Sequence, residues 1–343
     1  MVSLVSDIQN FVIIACHNLT KLNDNKLSKM FKSNSLQRIS IVVAILFTLA
    51  SCRSGNNKTY DETPTRGSIK ISVDESYEPI IDSEIFTFTS LYPYAKITPS
   101  YKPEVDVIND FMNDSVKLIV SNKQLTEAQI KYLRDTLIIA RTNSFAYDAL
   151  AFIVSKENHD TLLQYTTIEG LFKGTIKSWK EINPKSKLEK ISVIFDNTKS
   201  GNIRYFKELF EIKESLPENF YAVNSNEEVV NYVSRNKNAL GIISVNWISD
   251  KDDSLTRNFT SKIRVVAVNS LTDNSTYYLP EQGAIYGKTY PFTREVYIIS
   301  RETFAGLGSG FTSWCLHEQG QRIVLKSGLV PSTMPIRLIQ VKH

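Results

Sequence analysis

Ile69, Ile71 and Val73 in "SIKISVD" alternate with polar neighbours, the period of a strand with one buried side. Directly after it, Ile81, Ile85 and Phe88 in "ESYEPIIDSEIFTFTSLYP" recur at helical spacing until Pro93. The strand passes into the helix at Asp74-Glu75-Ser76. The switching of periods continues, with "AKITPSY" as a second strand, "EVDVINDFMND" as a second helix and "VKLIVSN" as a third strand. This βαβαβ order predicts a mainly parallel sheet. "RTNSFAYDALAFIVS", residues 141–155, is rich in β-formers and closes on a nearly continuous apolar run. After it, "TTIEGLFKGTIKSWKEI" reads as a helix with a turn, "ISVIFD" as a strand and "SGNIRYFKELF" as a helix. "NEEVVNYVSRNKNALGIISVNWI" supplies another helix and strand with Gly241 at the turn, and "IRVVAVN" begins a further strand. "YPFTREVYIISR", residues 290–301, alternates and then runs apolar, as a strand crossing back would. The chain closes with "GFTSWCLHEQGQRIVLKSGLVPS", read as a helix ended by Gly328 and Pro331.

The fold class this predicts is α/β, in two lobes joined by extended crossovers. Lobe one takes residues 67–150 and 290–335, lobe two residues 151–289, and 336–343 is a tail. A chain of 343 residues is long for one core, which also favours two lobes.

Upstream the pattern changes. Ile39 to Ala50 is apolar but shorter than the roughly 20 residues a spanning helix needs. Basic Lys32 and Arg38 precede it, so it reads as the h-region of a signal peptide, with Met30 where a short n-region would begin. Residues 1–51 are then an upstream region and signal peptide, and Met30 is a candidate true start. Leu49-Ala50-Ser51-Cys52 resembles a bacterial lipobox, which makes Cys52 the lipidated first residue of the mature chain. From 52 to 66 the composition turns to Ser, Gly, Asn, Thr, Asp and Pro, a flexible tether. The expected location is the cell envelope, lipid-anchored on the periplasmic or extracytoplasmic side.

Charge and cysteines narrow the function. Net charge is +4, but Lys21, Lys26, Lys29, Lys32 and Arg38 lie before or at the edge of the apolar run, leaving the rest near neutral. No nucleic-acid footprint follows. Cys16, Cys52 and Cys315 form no disulfide framework, and neither they nor the scattered histidines have metal-site spacing. No metal and no cofactor are expected.

The helix start at Ser200-Gly201-Asn202 is the sharpest chemical signal. A serine cap with glycine in the first turn points N–H groups and a hydroxyl outward at the positive end of the helix dipole, a fit for an oxyanion. The same residues also suit plain helix capping, and both readings stand. Arg204, one step inside, could fork onto an oxyanion or pair with Glu208 at i+4. Asp74, Glu75 and Ser76 sit where open α/β sheets bind ligands, although carboxylates also suit a first helical turn. A carboxylate there would accept a proton from a ligand and so select a protonated anion. Ser121, Asn122 and Lys123 end the third strand, as polar residues do at any strand end or as donors to an anion. As a catalytic nucleophile Ser200 lacks a nearby histidine and a G-x-S-x-G elbow, so no enzyme activity is expected.

"SYKPEVDVINDFMNDSVKLIVSNKQLT", "YDALAFIVSKEN", "LFKGTIKSWKEI", "DNTKSGNIRYF", "YPFTREVYII" and "GQRIVLKSGLVPS" occur in an order and spacing that resemble the phosphate-binding lipoproteins of ABC importers, particularly forms from Bacteroidetes. Tyr147 to Ala151, Gly174 with Trp179, Tyr290-Pro291 with Arg294, and Gly328 to Pro331 are its most specific points. The resemblance spans about Gly67 to Pro331. It implies a type II periplasmic-binding fold that closes on phosphate or a related oxyanion and presents it to an ABC permease in the inner membrane, as a monomer. The family's binding motif is Ser-Gly-Thr at a helix start, often with an arginine and aspartate upstream. Ser200, Gly201 and Asp196 match it, whereas Asn202 replaces the threonine and Phe195 stands near the arginine's place; Arg204 is the candidate replacement charge. The third-strand loop lacks the family's usual Ser-Asp or Ser-Arg followed by Pro-Leu, and "SYKPEVD" replaces its glycine- and serine-rich loop. These departures keep open a divergent member that binds another small ligand, or a surface sensor or structural lipoprotein.

Overall fold

Because helices cover both its faces, β1 (Gly67–Asp74) is buried without a break from Ile71 to Asp74. It pairs parallel with β2 (Ala95–Lys102), from Gly67 opposite Ala95 to Asp74 opposite Lys102. On its other side it pairs parallel with β3 (Leu118–Ser121). The helices Glu78–Leu91 and Glu104–Met112 make the crossovers; the first has a proline in its opening turn and buries Ile80, Ile81, Glu84 and Phe88. The computed structural model of the protein describes residues 62–335, apart from 272 and 274. Cys52, the tether up to residue 61, the upstream region and the tail from 336 therefore lie outside the described residues.

The strands that follow are β4 (Arg141–Ser155), β5 (Leu162–Leu163), β6 (Ser192–Phe195), β7 (Phe220–Ala222) and β8 (Ala239–Ser244). After them come β9 (Ile263–Val265), β10 (Ala267–Asn269), β11 (Tyr277–Tyr278), β12 (Thr293–Ser300) and β13 (Val330–Pro331). The main sheet runs β2-β1-β3-β12-β4-β8-β6-β7, with β13 and β9 also on β4; a small sheet holds β11-β10-β5.

β4 divides the main sheet. Its first part, Arg141 to Ala149, pairs antiparallel with β12, and its second, Leu150 to Val154, pairs antiparallel with β8. The sheet is accordingly mixed rather than mainly parallel. The expected parallel order holds in the βαβαβ segment from β1 to β3, while β4 and β12 run against their neighbours because each carries the chain across to the other half. The register shifts between Val296, opposite Ala146, and Tyr297, opposite Ser144, so Phe145 is an extra residue bulged into β4.

The closing helix is two helices, Leu307–Leu316 and Glu318–Lys326, broken at His317, whose φ of −85° and ψ of 171° are extended. The break lets Gly320 lie against the end of the first helix, where a Cβ would come within 2.6 Å of the Trp314 carbonyl oxygen. Gly328 ends the second helix at φ +84°, a conformation that favours glycine. Cys315 is buried and free, and burial pushes its thiol up. The second half of the molecule packs around Phe206, whose ring centroid lies 4.6 Å from Phe172, 5.1 Å from Phe292, 5.5 Å from Phe152 and 5.8 Å from Phe210. Phe206 belongs to the helix Gly201–Leu209, so this cluster anchors the helix whose first turn carries the candidate residues. Among the described residues no helix is long and apolar enough to cross a membrane.

Candidate functional site

The carboxyl ends of β1, β3, β6 and β8 bring their last residues to one place, where open α/β sheets bind ligands. Asp74 caps a single 3-10 turn, Glu75–Tyr77, by accepting a 3.0 Å bond from the Ser76 N–H. Ser76 Oγ then donates to Asn202 Oδ1 at 3.2 Å. Ser200 is the N-cap of the helix Gly201–Leu209: its Oγ accepts from the Asn202 N–H at 2.9 Å and donates to Asp196 Oδ2 at 2.7 Å. Asn202 Nδ2 donates to that same oxygen at 3.0 Å. The capping role and the gathering of polar groups at the helix start are thus both present.

The charge at this junction is Arg294, one of the residues that carry the family resemblance. It lies opposite Asp148 in the pairing of β12 with β4, and both are buried. Its Nε donates to Asp148 Oδ2 at 2.9 Å, its Nη2 lies 2.8 Å from that oxygen, and its Nη1 donates to Asn202 Oδ1 at 2.6 Å. Ser244 Oγ supports Asp148 with a 2.9 Å bond, and the guanidinium stands over the Tyr77 ring, 5.4 Å from its centroid. Burial works against the charge of Arg294, but Tyr77, Asp148 and Asp74 outweigh it and raise its pKa further. The sequence did carry a clue. In "TREVYIIS" Arg294 falls on the buried side with Val296 and Ile298, and an inward arginine on a strand needs a partner.

Around this centre the carboxylates are unusually reluctant to ionise. Burial raises Asp74 to about 7 against the pull of Arg294, with Glu104 and Asp196 adding to the rise. Burial likewise lifts Glu75 to about 7 and Asp196 to about 6. Glu75 accepts from the Asn226 N–H at 2.8 Å, and Asn246 Nδ2 donates to the Ser76 carbonyl at 3.1 Å. Asp74 Oδ2 and Asn246 Oδ1 are buried without a hydrogen-bond partner.

Not every predicted residue reaches this centre. Arg204 turns to Glu104, with Nε to Oε1 at 2.5 Å and Nη2 to Oε2 at 2.8 Å, to Asn122 Oδ1, and to Glu208 at 2.5 Å. Ser121 Oγ accepts from the Lys123 N–H at 3.0 Å, so these two form a local turn beside the site, and Lys123 is half-exposed. Gly201 is tightly surrounded: a Cβ there would meet Asn122 Nδ2 and Glu104 Oε2 at 2.7 Å and Asp74 Oδ2 at 3.0 Å. Sequence reasoning missed Arg294, Asp148, Glu104, Asn226, Ser244 and Asn246 as site residues.

Together these groups offer a buried cation, the unpartnered amide donor Asn122 Nδ2 and an unpartnered carboxyl oxygen on Asp74. A small anion that also bears a hydroxyl proton satisfies both kinds of partner. Among the described residues no cluster of three or more His, Cys, Asp or Glu is disposed to hold a metal ion. A surface hollow of about 800 Å³, lined by Lys173, Lys177 and the 210–219 segment, lies apart from the site, while one of about 660 Å³ borders Ser200 and Arg204 on its outer side.

Residues 58–319 match the PBP superfamily domain. The phosphate-binding protein PstS of Borreliella burgdorferi is 25% identical over 297 residues, covering 84% of this chain and 98% of its own. A Clostridium perfringens structure, assigned as a phosphate ABC transporter substrate-binding protein with bound phosphate, superposes with a TM-score of 0.66 at 22% identity, over 77% of this chain and 99% of its own. An ABC-type phosphate transport receptor from Vibrio cholerae gives a TM-score of 0.58 at 19% identity, over 77% and 100%. These superpositions establish the two-lobed α/β periplasmic-binding fold.

Proposed function

The chain belongs to the PBP superfamily, and from that premise we propose that it is an extracytoplasmic solute-binding protein that captures phosphate between two lobes and presents it to an ABC-type permease. The lobes are 67–150 with 290–335, and 151–289. Cys52 is the lipid attachment point. The relatives' names point to phosphate. The observation that carries the reading is the buried Arg294 guanidinium, held by Asp148 and surrounded by Ser76, Ser200 and Asn202. A phosphate oxygen receives the Arg294 guanidinium and the unpartnered Asn122 Nδ2 and takes the Ser200 hydroxyl from Asp196, while a phosphate hydroxyl donates to Asp74 Oδ2. Where Asp74 is ionised, sulfate, with no proton to give, leaves that carboxylate oxygen unpaired.

Isothermal titration of the purified protein, after unfolding and refolding to remove carried-over ligand, tests this. Saturable phosphate binding that weakens about tenfold or more in Ser200→Ala, with sulfate much weaker, is the expected result. Absence of heat and of any thermal shift with phosphate would sink the reading in favour of another small ligand or a surface role, and Phe195 and Asn202 would be the first positions to examine.

The dependence on pH follows from Asp74, which faces Arg294 on β12, Glu104 on the helix Glu104–Met112 and Asp196 after β6. Its carboxyl is raised to about 7, so it is mostly protonated and uncharged below neutrality and becomes an anion above it. A second anion binds worse beside a carboxylate than beside a carboxylic acid. Phosphate affinity is therefore expected to fall from about pH 6 to about pH 8, and Asp74→Asn to flatten the curve to what phosphate's own ionisation leaves. Affinity that rises over this range in the wild-type protein contradicts the assignment of Asp74.

A further inference from the structure

Among the described residues the Arg204 guanidinium has three protein partners. Nε and Nη2 bind the two oxygens of Glu104, Nη2 also binds Asn122, and Nη1 binds Glu208. Glu104 and Asn122 belong to the segment 67–150, whereas Arg204 belongs to 151–289, so the bidentate pair spans the two lobes proposed above. The Glu104 side chain is almost wholly buried, at 2% exposure, and the Arg204 side chain is 21% exposed, so water screens the pair little. Two contacts outside it run the same way: Lys199 Nζ lies 3.0 Å from Asp106 Oδ1, and the Val105 N–H donates to the Lys199 carbonyl at 3.4 Å. All of these are protein-to-protein contacts, so they act on the closed arrangement whichever small ligand lies at Arg294.

We propose that Arg204 and Glu104 form a clasp across the cleft, positioning residues that set ligand affinity by favouring closure and that do not themselves touch the ligand. This rests on the two-lobed phosphate reading above. A protein whose binding-competent form is only a fraction of the population binds its ligand more weakly by that fraction, so a contact that raises the fraction raises affinity. The sign separates the clasp from the simpler effect of Glu104 as a negative charge near an anion site. Removing a repelling charge tightens anion binding; removing a clasp weakens it.

The test is a double-mutant cycle on the purified protein with phosphate as the probe, joined to solution X-ray scattering. Glu104→Gln and Arg204→Gln are each expected to weaken phosphate binding about tenfold, with the double variant no weaker than either single one. The stripped single variants are expected to show a larger radius of gyration than the stripped wild-type protein, and saturating phosphate to bring all to the same compact value. Glu104→Gln that binds phosphate as tightly as wild type or tighter overturns the clasp. So does a full Arg204→Gln loss in the Glu104→Gln background, since Arg204 would then be touching the ligand. If the wild-type protein binds no phosphate, the phosphate reading fails while scattering still decides the clasp: expansion in both stripped single variants supports it, and unchanged radii overturn it.

Discussion

Arg294→Gln is expected to weaken phosphate binding by on the order of a thousandfold and to lower folding stability by about 3–5 kcal/mol. Both effects have one source. Arg294 and Asp148 form a buried ion pair, and glutamine leaves Asp148 as a buried carboxyl supported by Ser244 without its cation. Breaking one side of such a pair costs far more than removing both, so Asp148→Asn in the Arg294→Gln background should recover part of the stability and none of the binding. Arg294→Lys isolates geometry from charge, because an ammonium group cannot fork to Asp148 and Asn202 together; it is expected to retain more stability than Arg294→Gln and still bind poorly. Urea denaturation and phosphate titration of the same preparations read the two effects. Phosphate affinity within threefold of wild type in Arg294→Gln would remove Arg294 from the site.

The second large effect concerns Phe206→Ala. Phe206 is fully buried, and its ring is packed among Phe152, Phe172, Phe210 and Phe292. Truncation removes the ring's contacts and leaves a void that stiff aromatic neighbours fill poorly, a cost of about 3–5 kcal/mol. Because Phe206 fastens the helix that begins at Gly201, phosphate affinity should fall as well, although Phe206 lies on the packed face of that helix. Phe206→Leu, which keeps much of the volume, should restore most of both. A stability loss under about 1 kcal/mol in Phe206→Ala would show that the cluster collapses around the gap.

How much of this was legible in the sequence depends on the range of the interaction. The strands and helices from Gly67 to Ser121 could be read because each is set by local period, and Ser200 could be read as a helix start because capping is local chemistry. The direction of β4 and β12 could not, since a strand's own pattern does not say which neighbour it joins across a long connection. The break at His317 was hidden for a similar reason: the packing of Gly320 on the preceding helix enforces it, and nothing in "CLHEQGQR" forbids one continuous helix. At the site, Arg294 meets a partner 146 positions away and Arg204 one 100 positions away. Two arginines that look alike to local rules therefore have opposite fates, one at the centre and one across the rim. Only the inward register of Arg294 told them apart.

β4 and β12 carry the chain from one half of the sheet to the other, and Arg294 and Asp148 face each other on them. When two bodies rock about a connection, groups on the connection travel least and those at the rim travel farthest. On the reading proposed above, the anion's main partner is already in place before closure, while Arg204 and Glu104, out on the two bodies, must be brought together. This predicts an order of events in time. Phosphate lands first on a stationary arginine in a concentration-dependent step, and a slower, concentration-independent step follows as the rim swings shut, so association should be biphasic in stopped-flow records.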